Sequence, residues 1–361
     1  MEKPENYKSV QVNFNDVVIE VSCNHKPLIR HITEHVRPLA AANNHHQPNV
    51  NIKVNWRETE QEKSFPLLSL SESPEAIKVG KRLYRVDGKL LWTDIIRRDN
   101  IVTLLSLRDQ TLNVEYDYYF DLSPQKLERN PDYRSKRYFS LLKYFLYFPM
   151  IWYHEQFKDC YLLHASGVSL NGNGVALGGV GGVGKTTTCV GLLRRENTHL
   201  LSENLIFYDD KNFYQLYEPI RLDDNSVEIL GAKKDAIYAA DFPEGTRIKK
   251  LFHIHSDFRK NKVAAKLMIL PEFAPETQAY ELPAETALVE LENYNMLTRE
   301  INDYYWYAAT LNLLRPTHFP YRERIAKLTK LLQNIPAYRL LIDRSKGMEP
   351  VVETISQLAV L

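Results

Sequence analysis

Residues 178–188 read GGVGGVGKTTT, and no other segment constrains the chain as tightly. The pattern G-x-x-x-x-G-K-[ST] is complete there, in Gly179, Gly184, Lys185 and Thr186. Each residue type has a physical job. Glycines allow positive φ and leave no Cβ in the way, so successive backbone N–H groups can converge on an anion. A helix beginning at Lys185 adds its partial positive charge at the same point. The lysine is placed to reach β and γ phosphates, and the Thr186 hydroxyl to coordinate magnesium. An apolar strand, GVAL, runs into the loop and a helix leaves it. A glycine-rich turn that merely spells the motif would not call for that strand, that helix and the extra glycines Gly178, Gly181 and Gly182. The expected ligands are ATP and Mg2+. The expected contacts are Gly179, Val180, Gly181, Gly182, Val183, Gly184, Lys185, Thr186 and Thr187. The loop alone does not name a reaction, because it serves many chemistries.

At 361 residues the chain is long enough for two domains, or for one with a large elaboration. Its 44% hydrophobic and 25% charged residues are the composition of a globular protein. A net charge of +1 lacks the basic footprint of a nucleic-acid partner. Cys23, Cys160 and Cys189 are few and scattered, which fits a reducing interior. The opening MEKPENYKSV lacks the apolar core of a signal peptide. Residues 139–153, FSLLKYFLYFPMIWY, hold Lys143 and Pro149 and fall short of the ~20 apolar residues a membrane span needs. They read as a buried or half-buried aromatic helix. The expectation is a cytoplasmic protein with no membrane and no nucleic-acid partner, and a homo-oligomer is compatible with it.

Alternating runs predict strands at 8–24, 50–56, 81–88, 100–109 and 112–122, with a helix at about 27–41. Residues 1–130 thus read as a β-rich module. The charged, proline-bearing stretch 124–134 reads as a linker, and residues 131–361 as the phosphate-loop domain. The fold class expected is mixed α/β, α+β overall. LIFYDDKNFYQLY predicts a hairpin turning at Asp209 to Asn212.

Around the loop, LLHASGVSLNGNGVALGGVGGVGKTTT followed by HLLSENLIFYDD resembles the catalytic domain of the HPr kinase/phosphorylase family. The resemblance covers residues 162–206 well and the rest in outline. That family has a histidine ten residues before the glycine that opens the strand, and here His164 precedes Gly174 by that interval. The resemblance implies the P-loop fold shared with PEP carboxykinases, and ATP-dependent transfer to a serine hydroxyl. It also implies an acidic pair after the loop helix, where this chain has Glu203 and Asn204. Carried over, Glu203 is the base and Asn204 lies at the metal beside Thr186, offering a neutral oxygen where the family has a carboxylate. With His164 and Lys185 these make the catalytic set. The acceptor class implied is a hydroxyl on a peptide, protein or small molecule. A degenerate nucleotide-binding regulator and a plain ATPase are the rival readings.

Other signals are weaker. Arg221, in EPIRLDD, either clamps phosphate or an acidic acceptor, or pairs with Asp223 or Asp224. Asp209 follows LIFY in the manner of a Walker B acid, but Asp-Asp-Lys-Asn is good turn chemistry. His253 and His255 would share a strand face, yet no third metal ligand follows at a typical spacing. The adjacent His45 and His46 read as solvated loop residues. DYYWY, 303–307, reads as core at helical spacing.

Overall fold

The computed structural model describes residues 6–40, 47–59, 65–95, 100–122, 128–129, 132–242, 250–316 and 320–360. His45, His46 and much of the 124–134 linker lie outside them. The chain is a mixed α/β protein with two compact units. One comprises Met1–Lys158, Asp241–Thr246 and Asp303–His318; the other comprises Asp159–Ala240, Arg247–Asn302 and Phe319–Leu361.

Eight strands build the first unit: β1 (Lys8–Phe14), β2 (Val17–Cys23), β3 (Val50–Thr59), β4 (Ile77–Gly80), β5 (Leu83–Val86), β6 (Lys89–Trp92), β7 (Ile101–Arg108) and β8 (Thr111–Asp121). They form one sheet in the order β1-β2-β3-β8-β7-β6-β5-β4. Strand β3 runs parallel to both β2 and β8, and the other pairs are antiparallel. Alternation sets the two faces. Val17, Ile19, Val21 and Cys23 of β2 are buried, as are Val50, Ile52 and Val54 of β3. The other face carries cross-strand polar pairs: Asn51–Asn113 at 3.0 Å, Lys53–Glu115 at 2.8 Å and Asn55–Asp117 at 2.8 Å.

The aromatic segment belongs to this unit, as helices Tyr133–Leu142 and Phe148–Phe157 joined by a π-helical turn, Lys143–Tyr147. Most of its rings are buried, Trp152 completely. Tyr116 donates to the Tyr144 carbonyl at 2.5 Å, and Trp152 Nε1 donates to Asn312 at 2.8 Å. In DYYWY, Tyr304 and Tyr307 are buried and Trp306 is 68% exposed, so the helical-core reading describes two of the rings and not the tryptophan. No helix among the described residues is long and apolar enough to cross a membrane.

The second unit contains β9 (Tyr161–Leu163), β10 (Ala165–Leu170), β11 (Asn173–Gly178), β12 (Thr198–Ser202), β13 (Ile206–Tyr208), β14 (Asn212–Gln215), β15 (Ile220–Leu222), β16 (Ile237–Ala239), β17 (Lys250–Ile254), β18 (Lys262–Phe273), β19 (Gln278–Leu282) and β20 (Ala337–Ile342). Nine of them make a mixed sheet, β12-β10-β11-β18-β14-β13-β9, with β20 also beside β18 and β19 beyond it. The remaining three form a small sheet, β15-β17-β16. Side chains alternate across the large sheet. Val175, Leu177, Leu267 and Ile269 pack on one face with the phosphate-loop helix Lys185–Leu192 and the helix Glu349–Leu358. Ala176, Met268 and Leu270 face the helices Ala284–Leu297 and Pro320–Asn334. The result is a three-layer α/β/α core.

Candidate phosphate-binding site

The site grows out of the β10–β11 hairpin. Asn171 and Gly172 both take positive φ, 52° and 86°, as a tight two-residue hairpin turn requires. Strand β11 then delivers residues 179–184 from the middle of the sheet, and the helix starts at Lys185. Gly184 caps that helix at φ 86°, and its carbonyl accepts the Thr188 N–H at 2.8 Å. A Cβ on Gly178 would lie 2.3 Å from Leu291 Cδ2, so the Leu291 side chain of the helix Ala284–Leu297 occupies the space that the glycine leaves at the strand end. The tip of the loop is open: nothing lies within 4 Å of where a Cβ on Gly181 or Gly182 would be.

Lys185 is 7% exposed and turned inward. Its ammonium donates to the Gly179 carbonyl at 2.7 Å and the Val180 carbonyl at 3.0 Å. Burial lowers its pKa to about 8, against the opposing pull of Glu203. Thr186, half-buried on the first turn, donates its hydroxyl to Glu203 Oε1. Glu203 is held in turn by its main chain, because the buried Ser166 hydroxyl donates to its carbonyl. Thr187 is half-buried beside Thr186. Cys189, buried on the same helix, has its thiol pKa pushed up by burial and then by the Glu203 charge.

His164 occupies the single position between β9 and β10 and is 6% exposed. Its backbone N–H donates to Asn295 Oδ1 at 3.0 Å, and its Nδ1 lies 2.6 Å from the Thr298 hydroxyl. Burial, then the Lys185 charge, lowers its pKa to about 4; a hydrogen bond with the Asn204 side chain opposes them. The imidazole is therefore neutral at physiological pH. Thus the two residues after β12 part company: Glu203 goes to Thr186 and Asn204 to His164.

Arg221, on β15, is exposed, and its charge bears on Glu218. Asp223 caps the next helix, accepting from Ser226 N at 2.8 Å. Glu218, half-buried, was overlooked. Burial and then Glu300 raise its pKa to about 8, with Glu203 adding to the rise and Arg221 opposing it. Asn295 and Thr298 were overlooked too, since nothing in ALVELENYNMLT marks a site.

Asp209 sits at the hairpin corner with its carboxylate occupied. It accepts from the Lys211 and Asn212 amides at 2.7 Å and from the Tyr214 hydroxyl at 2.5 Å. Burial works to raise its pKa, but these bonds together lower it. That is turn chemistry. The shared face expected for His253 and His255 does not form, because β17 ends at Ile254. His253 is buried with Tyr217 Oη at 2.6 Å, whereas His255 is exposed.

The comparisons with known proteins add little to this geometry. No family model matches the chain, and no curated protein does. Among solved structures, the Hpr(Ser) kinase/phosphatase from Coxiella burnetii superposes at a TM-score of 0.26 with 8% identity, covering 55% of this chain and 96% of its own.

Proposed function

We propose that the second unit binds ATP with magnesium and transfers the γ-phosphoryl group to a hydroxyl, with serine on a peptide, a protein or a small metabolite as the acceptor class. The observation that carries this reading is the hydrogen bond from Thr186 to Glu203 at the mouth of an open glycine loop whose lysine points inward.

The residues fit the group. Lys185 would exchange two neutral carbonyls for phosphate oxygens, a stronger partner for an ammonium. Backbone amides of residues 180–184 would hold the β phosphate at the helix start. Thr186 and Glu203 supply the oxygen ligands that magnesium prefers. Bound MgATP supplies the transferable phosphoryl group and the charge neutralisation that goes with it. Glu203 bonds Thr186 through Oε1, which leaves Oε2 for the proton of an acceptor hydroxyl. Glu218, with a pKa of about 8, is a second carboxyl able to exchange a proton in the working range, and Arg221 beside it offers a cation to phosphate or to an acidic acceptor. Asn204 is engaged by His164, so in this reading the metal rests on Thr186 and Glu203 rather than on Asn204.

The test is incubation with MgATP and a panel of free serine and serine peptides, followed by mass spectrometry. A phosphorylated product matched by ADP supports transfer. ADP released equally with and without acceptors would make the protein an ATPase. ATP bound with no ADP formed would favour a regulatory nucleotide-binding protein. That last reading draws on one observation, the neutral His164–Asn204 pair.

A further inference from the structure

Beside the phosphate loop, the same edge of the large sheet carries an aromatic ring that the core does not enclose. Strands β11, β18 and β20 run parallel, side by side, so their C-terminal ends open on one edge, where ligands of such sheets collect. Leu267 and Ile269 of β18 pack under the phosphate-loop helix, and Pro271 and Phe273 continue that row at two-residue spacing. Pro271 lies against the start of the loop, where a Cβ on Gly179 would be 3.7 Å from its Cδ. Phe273 reaches the end of the loop, where a Cβ on Gly184 would be 3.9 Å from its Cε1. Glu272, between them, points to the other face and pairs with Arg339 at 2.8 Å. The Phe273 ring is left 42% exposed.

Arg344 completes the group from the neighbouring strand. Leu340 and Ile342 of β20 belong to the same apolar layer, and Arg344, two residues on, holds its guanidinium 5.0 Å from the centre of the Phe273 ring. The segment that carries it is fixed at both ends. Asp343 accepts from Ser345 N at 2.8 Å, and Met348 fills the space beside Gly191 on the phosphate-loop helix, 2.6 Å from where a Cβ would be. A single exposed ring on a protein surface means little. This one stands beside the last glycine of a phosphate loop with a cation over its face, and an aromatic ring and a guanidinium plane both stack on nucleobases.

We infer that Phe273 and Arg344 form the platform on which the adenine base of the nucleotide stacks. The platform presupposes the ATP-binding reading: the loop takes the phosphates, and the ring next to Gly184 takes the base. Its contribution is to the affinity for a nucleotide, not to the affinity for bare polyphosphate.

Calorimetric titration of MgATP, and of magnesium tripolyphosphate, which has the phosphates and no base, separates the two contributions. Phe273→Ala should weaken ATP binding about tenfold, the worth of one stacked base, and leave tripolyphosphate within about twofold of wild type. Phe273→Trp should bind ATP at least as tightly as wild type does. Should Phe273→Ala fail to fold, Phe273→Leu takes its place, since it keeps the apolar bulk and gives up the aromatic face. Equal ATP affinities in wild type and the folded variant would overturn the platform and leave the phosphate loop standing. An equal loss for ATP and tripolyphosphate would overturn it too, and make Phe273 a support for the loop. A wild type that binds neither ligand would remove the phosphate site and the platform with it.

Discussion

A charged cluster in the first unit and one in the second are built on opposite plans. In the first unit Arg134 meets Glu58 through both guanidinium nitrogens, and Trp56 Nε1 donates to the same carboxylate at 2.7 Å. His25 stands 3.6 Å from that carboxylate and 2.7 Å from the Tyr138 hydroxyl. Burial there works to raise the Glu58 pKa, but the Arg134 and Trp56 bonds prevail and lower it. In the second unit Lys185 is more deeply buried, yet its hydrogen bonds go to two neutral carbonyls. The carboxylate whose charge reaches it, Glu203, is bonded to a hydroxyl, and the lysine pKa falls to about 8. A charge that has found its opposite is structural. On the proposed reading, a buried charge left on neutral partners is one whose opposite is a ligand.

That contrast can be broken at several points. The largest effect should come from Glu203→Gln, which keeps the shape and removes the negative charge. Turnover at saturating magnesium should fall about 10²–10³-fold, as when a general base is lost, and the magnesium requirement should rise because the same carboxylate holds the metal. Steady-state kinetics beside calorimetry checks this, and a variant that turns over like wild type would end the role of Glu203.

A smaller effect concerns protons. Phosphate beside Lys185 should raise its pKa from about 8, so ATP binding near pH 8 should take up a fraction of a proton. As pH rises through that value the unliganded lysine loses its charge, and affinity should weaken. Calorimetry in buffers of different ionisation heat measures the uptake. No uptake at pH 8 would mean the lysine does not meet phosphate.

Breaking the paired cluster should do the reverse of breaking the loop. Arg134→Met should cost about 1 kcal/mol of stability, as a partly exposed bidentate pair does, and leave ATP affinity unchanged. The Glu58 pKa is lowered on folding, so its contribution is present above the ordinary glutamate range and is lost as pH falls through the folded value. Urea titrations at pH 7 and pH 4 should therefore show the wild-type advantage at the higher pH and little of it at the lower.

The smallest effect is expected at Asp209. Asp209→Asn should leave ATP affinity and magnesium dependence within about twofold, because that carboxylate serves the hairpin turn. A marked rise in the magnesium requirement would transfer the metal role from Glu203 to Asp209.

How much of this was legible in the sequence follows from which interactions are local. The phosphate loop is contiguous, so its glycines, Lys185 and Thr186 could be read directly, as could the Asp209 turn. The strands of the first unit were legible by alternation, apart from the four-residue β4 and β6, which are too short to display a period. The pairing of Asn204 with His164 depends on β12 lying next to β10 at the edge of the sheet. Thr298 and Asn295 come from a helix more than a hundred residues farther along, and their side chains act only through where that helix ends. Glu218 has no sequence signal because a lone acid before a proline makes no pattern; its raised pKa comes from burial and then from Glu300, distant in sequence.

The most direct measurement is a calorimetric titration of MgATP into wild type and Lys185→Ala, with the fold of each checked by circular dichroism. Wild type should bind at a single site, and the folded variant should lose about 100-fold in affinity or more, the worth of a charge-assisted contact to phosphate. Equal affinities in two well-folded proteins, or no binding by wild type, would contradict a phosphate site at this loop.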